Sequence, residues 1–193
     1  MTVIDAPLTI CGIEELPGHR DRGVRHVLSI LDPERAEPKA FDGYAPHRRL
    51  TLRFHDDIEP LPGRATPQDA HVAEILAFGD TLARSGPGAH LLVHCHMGVS
   101  RSTAAMLTLM AQAAPRHDAE ALFARLVAIR PQAWPNSRMI AFADRLLGRD
   151  GTLTAALGRH YARQIAAKAD WSVWMADLGR QAEIEMGRRA ATS

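Results

Sequence analysis

The sequence predicts an α/β fold: a central, mostly parallel twisted sheet with helices on both faces, followed by a helical extension. Three observations carry this. Short runs of β-branched and apolar residues alternate with segments of helical period as far as residue 148. A glycine-bearing loop joins one of those runs to a mostly apolar helix near residue 100. Beyond Asp150-Gly151 the pattern is helical.

The elements follow in order. Leu8 to Ile13 reads as a first strand. Val24 to Leu31 is a buried strand stopped by Asp32-Pro33. Residues 32 to 47 hold further prolines and a glycine and form a surface connection. Arg49 to Phe54 alternates as a third strand and enters a turn-rich loop, His55 to Gly63. Thr66-Pro67-Gln68-Asp69 opens a helix, with Thr66 as cap and Pro67 in the first position. Its inner face is Val72, Ile75, Leu76 and Leu82, and Gly86-Pro87-Gly88 ends it. His90 to His94 is a short apolar strand, and Ser102 to Met110 a buried helix. Asp118 caps a helix that turns Leu122, Leu126 and Ile129 inward. Asn136 or Ser137 caps the next, with Met139, Ile140, Ala143, Leu146 and Leu147 inward and Gly148 at its end. The tail carries a looser stripe of Leu157, Tyr161, Ile165, Trp171, Trp174, Met175 and Leu178. Such a stripe either packs on the domain or forms a homodimer interface through the C-terminal helices.

Composition narrows the function classes. The 193 residues are 46% hydrophobic and 23% charged, with a formal net charge of +1 at pH 7. That balance argues against nucleic acid or an anionic membrane as an obligatory partner. There is no apolar stretch long enough to span a bilayer, and Met1 to Asp5 lacks the form of a signal peptide. The two cysteines, Cys11 and Cys95, make no disulfide framework, so a reducing cytoplasm is expected. Lysine occurs only at 39 and 168 against many arginines, and alanine is abundant, a composition that fits a GC-rich bacterial genome.

The chemistry gathers at His94-Cys95-His96-Met97-Gly98-Val99-Ser100-Arg101-Ser102, between a strand and a helix. A tight loop at a helix N-terminus offers backbone N–H groups and a positive dipole end to a phosphate. Gly98 lets the loop curl, and the planar fork of Arg101 grips two phosphate oxygens. A cysteine in such a field gives up its proton readily. Cys95 is therefore the candidate nucleophile, passing through a phosphocysteine intermediate that water hydrolyses. Ser102 can donate to the sulfur as it leaves, while His94 braces the loop. A leaving alcohol needs a proton, and a nearby aspartate is the economical donor. Asp57, 38 residues before Cys95, is the expected general acid, with Asp56 the alternative. His94 and His96 on one strand face hint at metal ligation, but no second ligand cluster supports it and Arg101 would repel a cation. No metal and no cofactor are expected. Cys11 reads as a small core hydrophobe. Arg130 either pairs with a carboxylate or helps to hold the loops.

These residues resemble the cysteine-based protein tyrosine phosphatases, in their dual-specificity-like branch. The motif His-Cys-x5-Arg-Ser stands here as His94-Cys95 to Arg101-Ser102. Gly23 to Ser29 is similar to that family's second strand, Phe54 to Ile58 to its general-acid loop, and Arg130-Pro131 with Pro135-Asn136 to the downstream motif whose asparagine supports the phosphate loop. The resemblance covers roughly residues 8 to 148. It implies a phosphatase-like catalytic domain over 1–148 with an extension at 149–193, and hydrolysis without metal. The substrates implied are phosphotyrosine, and with it phosphoserine or phosphothreonine, in a phosphorylated protein, or a small phosphoester. A phosphoinositide or inositol phosphate is the alternative substrate, though the stretch after Cys95 lacks the lysines of relatives that take one. A catalytically weak phosphate-binding module is the alternative of a different class. The chain departs from the family in the long, Pro/Gly-rich connection after Asp57.

Overall fold

The computed structural model describes residues 6–85, 89–168 and 170–192. Met1 to Asp5 and the Gly86-Pro87-Gly88 stop lie outside the described residues. Four strands form one all-parallel sheet in the order β1-β4-β2-β3: β1 Leu8–Cys11, β2 Val24–Leu31, β3 Arg48–Arg53 and β4 His90–His94. The helices are α1 Asp69–Ala83, α2 Arg101–Ala113, α3 Ala119–Ile129, α4 Ser137–Leu146, α5 Thr152–Ala167, α6 Asp170–Asp177 and α7 Gln181–Ala190.

Both faces of the sheet are covered, but unequally. Side chains alternate along a strand, so Ile10, Leu28, Ile30, Leu91 and Val93 join the core shared with the α-helices. Cys11, Val24, Val27 and Leu92 face the other way, against Leu16 and Phe41 of two 3₁₀ helices, Ile13–His19 and Lys39–Gly43. The mostly parallel sheet of the sequence reading is thus fully parallel among the described residues, with α-helices concentrated on one side.

Several boundaries shift for physical reasons. β1 stops at Cys11 because Ile13 turns away to donate its N–H to His96 O (2.9 Å). α1 starts two residues later than Thr66 and Pro67 suggest. Gln68 is its N-cap, its N–H donating to His71 Nδ1 (3.2 Å), while Arg138 donates to Pro67 O and fixes the lead-in. Leu76 is only half buried, and Phe78 takes the inward position. On α4, Leu146 is 43% exposed rather than inward. Asp118 and Asn136 cap α3 and α4 as expected, accepting from Glu120 and Ala121 N–H and from Met139 N–H respectively.

The extension belongs to the same core. Leu153, Leu157, Tyr161, Trp171, Met175 and Ile184 are buried in the cluster that holds the sheet's Ile30 and Val93. Trp134, before α4, stacks on Tyr161 with centroids 4.3 Å apart and on Trp171 at 5.8 Å. Tyr161 Oη also donates to Pro135 O. The tail's stripe thus packs inward over much of its length, and Leu178 alone of it is largely exposed, at 51%. Among the described residues no helix is long and apolar enough to cross a membrane.

Candidate active site

The C-terminal ends of β2, β3 and β4 lie together at one end of the sheet, the usual place for a ligand crevice in a parallel sheet. β4 delivers Cys95 there, 3% exposed, and α2 starts at Arg101. Gly98 has φ +69°, and a Cβ on it would lie 2.5 Å from the carbonyl carbon of Cys11. Only glycine allows the loop to turn left-handed while pressed on the β1 backbone.

The loop's carbonyls are claimed from outside. His96 O accepts from Ile13 N, and Val99 O from Trp134 N, each at 2.9 Å. Arg130 donates to Met97 O (2.9 Å) and Gly98 O (3.0 Å), and grips Glu15 through two nitrogens at 2.8 Å. Arg130 therefore both pairs with a carboxylate and holds the loop. Ser100 O accepts from Ala104 N and from Thr103 Oγ1. With the carbonyls committed outward, the N–H side of the loop is what remains for an anion.

Cys95 Sγ and Ser102 Oγ share a hydrogen bond at 3.2 Å. Arg101 is 3% exposed; its Nη1 donates to Asp32 Oδ1 (2.7 Å) and Phe54 O (2.5 Å). Among the described residues its Nε has no hydrogen-bond partner. His94 is fully buried and shares a hydrogen bond at 2.7 Å with Ser29 of β2. Burial pushes its imidazole down to about 4, so it is neutral and acts as a brace. His96 stands 3.6 Å from Asp32 and is also held below its ordinary value, chiefly by burial. Cys11 is buried beside the loop, and its thiol is pushed up to about 12, again chiefly by burial; it stays protonated and inert.

The two candidate acids sit differently. Asp56 Oδ1 accepts from Ser100 Oγ (2.8 Å) and Asn136 Nδ2 (2.9 Å), and Arg180 Nη2 lies 2.6 Å from it. Burial opposes the Asp56 charge, but Arg180 and Arg101 outweigh it and hold the carboxyl below the usual range. Among the described residues Asp57 meets only Arg64 through its side chain, at 2.8 and 3.1 Å. Its main-chain oxygen accepts from Asn136 Nδ2 at 3.3 Å. Asn136 thus caps α4 with one end of its amide and ties the Asp56-Asp57 loop with the other.

The structure brings Cys95, Arg101, Asp56 and Asp57 to one cavity of about 290 Å³, together with His96, Met97, Val99 and Ser100. It adds residues that sequence reasoning missed. Asp32 orients Arg101; its only signal was its place just after a buried strand. Arg64 holds Asp57 from the Pro/Gly-rich connection. Arg180, 5% exposed, reaches in from the extension, donating to Asp56 O (2.6 Å) and Ser100 Oγ (3.2 Å). Glu183 backs it at 3.5 Å and accepts from Trp134 Nε1 and Ser137 N. Among the described residues no group of three or more His, Cys, Asp or Glu is placed to hold a metal.

No family model and no curated protein matches the sequence. The fold does match solved structures. Human DUSP28 superposes with a TM-score of 0.55 at 19% identity, covering 74% of this chain and 94% of its own. DUSP15 gives 0.56 at 21%, covering 76% and 86%. The PTP-2 phosphatase of Cydia pomonella gives 0.55 at 19%, covering 75% and 88%. At such identities the likeness is one of fold, and the fold is that of these phosphatases.

Proposed function

We propose that the chain is a phosphomonoester hydrolase, of the protein tyrosine or dual-specificity kind, acting through a phosphocysteine intermediate. One observation carries this reading. Cys95 and its hydroxyl partner Ser102 lie buried at a loop whose carbonyls are bonded from outside, beside a buried arginine whose Nε has no hydrogen-bond partner among the described residues. That arrangement binds a tetrahedral oxyanion and places a sulfur behind it. The phosphatase names of the solved structures that share the fold agree with it.

The first step forms an S–P bond from Cys95 and breaks the P–O bond to the leaving group. Charge on the equatorial oxygens is met by the loop N–H groups and Arg101, which Asp32 and Phe54 O hold in orientation. Asp57 gives its proton to the leaving oxygen. Asp56 is poorly suited to that task, because its carboxyl stays ionised between Arg180, Ser100 and Asn136. Arg64 is 44% exposed, so an arriving phosphate can draw it off Asp57. In the second step Asp57 takes a proton from water, the oxygen attacks phosphorus, and the S–P bond breaks toward a thiolate steadied by Ser102.

Hydrolysis of an aryl phosphate tests this. Cys95→Ser abolishes turnover, and Asp57→Ala lowers kcat by about 10²-fold or more. Asp56→Ala acts mainly on KM, by loosening the loop. Turnover surviving Cys95→Ser overturns the covalent route. A kcat collapse in Asp56→Ala without one in Asp57→Ala reassigns the acid.

A further inference from the structure

Half of the apolar lining of the candidate cavity comes from the extension. Trp174, Met175 and Leu178 line it, together with Met97 of the phosphate loop. Leu178 and Met97 are 51% and 54% exposed, large apolar side chains held open to solvent beside a polar site. Apolar surface left open at a pocket serves recognition more often than packing.

The wall is fixed in place. α6 ends in a reversed cap: Gly179 at φ +74° lets Arg180 N–H return to Met175 O (2.8 Å) and Gly179 N–H to Ala176 O (2.9 Å). The next side chain is Arg180, whose buried guanidinium binds the Asp56 main chain and Ser100 Oγ. The end of α6 is thereby fastened to both catalytic loops. The end of α6 cannot swing away without breaking the Arg180–Asp56 ion pair at 2.6 Å.

We propose that the C-terminal end of α6 is a leaving-group wall that gives the site a preference for aryl phosphate monoesters, phosphotyrosine in a protein, over alkyl esters such as phosphoserine. This rests on the hydrolase reading of Cys95. The loop and Arg101 see the same phosphate in either ester and cannot tell them apart. The difference lies in the first group beyond the ester oxygen. A flat ring laid on Leu178, Trp174 and Met97 removes apolar surface from water on both partners, whereas a serine methylene reaches little of it. A cavity of about 290 Å³ is small for a ligand pocket, and suits one phosphate with one ring.

The test uses the full chain and two peptides of one sequence, differing only in carrying phosphotyrosine or phosphoserine. Wild type favours the phosphotyrosine peptide by about tenfold or more in kcat/KM. Leu178→Ala erodes that preference and Leu178→Asp erodes it further, both through KM, while phosphoserine turnover stays within about twofold. Leu178 is exposed, so neither change threatens folding. Equal and measurable turnover of the two peptides by wild type, or parallel losses on both in the variants, overturns the wall. Calorimetric titration of Cys95→Ser with phenyl phosphate and methyl phosphate separates recognition from chemistry. Tighter phenyl phosphate binding that Leu178→Ala weakens upholds the wall, even if wild type turns over neither peptide; that last result would sink the hydrolase reading alone. Equal affinities for the two esters overturn the wall itself.

Discussion

Gly98 is where the candidate site is most sensitive to a single atom. Its φ of +69° is left-handed, and an added Cβ would lie 2.5 Å from Cys11 C, 2.7 Å from Gly12 N and 2.8 Å from Cys11 O. These are backbone atoms at the end of β1, held by its pairing with β4, so Gly98→Ala must push the loop outward. A displacement of about 1 Å at a reacting centre costs roughly 10²-fold in rate. The expectation is a loss of that order in kcat/KM on an aryl phosphate, with weaker inhibition by inorganic phosphate. Gly18→Ala, where a Cβ meets nothing within 4 Å, is the control and stays near wild type. Wild-type kinetics in Gly98→Ala would show that the loop's curl is not needed. Gly98, Cys95, Arg101 and Ser102 were legible in the sequence because one loop holds them in register. Asp32 and Arg180 were not, since they reach Arg101 and Ser100 across 69 and 80 residues and spacing leaves no trace of that.

Among the elements, β2 and β4 were legible to the residue, because a strand buried on both faces is rich in apolar residues throughout, and Asp32-Pro33 and the Cys95 loop mark where they stop. The start of α1 was not, since a side chain from α4 decides where Pro67 can go. The junction of α6 and α7 is the other case of tertiary override. Arg180 looks like any basic residue after a helix-ending glycine, yet it lies buried between Asp56 and Glu183. Removing one partner of a buried ion pair costs about 3–5 kcal/mol, because it strands the other charges. Arg180→Ala should lose about that much in urea unfolding, more than the exposed Arg188 would. Arg180→Lys keeps the charge but loses the fork, and recovers only part of the loss. A destabilisation under about 1 kcal/mol in Arg180→Ala would mean that the extension is not anchored through this contact.

At the scale of the whole molecule, sheet and extension share one core, and histidines at two of its seams are buried neutral. His94 joins β4 to β2 through Ser29, and His160 of α5 bonds Ala133 O (2.8 Å), before α4. The α/β class was legible from the alternation of strands and helices, and packing of the tail's stripe on the domain was one of its two readings; the seat it takes was not legible, because Trp134 between Tyr161 and Trp171 is a contact of distant segments. The seams make stability depend on pH. Burial pushes both imidazoles down to about 4, against an ordinary value of 6.5. Between those values the unfolded chain binds protons that the folded chain refuses. Stability is therefore full above pH 6.5 and falls as the pH drops toward 4. From pH 7 to pH 5 each histidine removes about 2 kcal/mol. The lowered carboxyls of Asp56 and Glu15 add to the loss at still lower pH, while Glu183, raised chiefly by burial, works the other way. His160 isolates the effect, since it lies outside the candidate site. His160→Gln keeps a donor for Ala133 O but cannot take up a proton. Urea midpoints for this variant should fall less between pH 7 and pH 5 than those of wild type, by the share of one histidine. An unchanged pH slope in His160→Gln would place the acid sensitivity elsewhere in the fold.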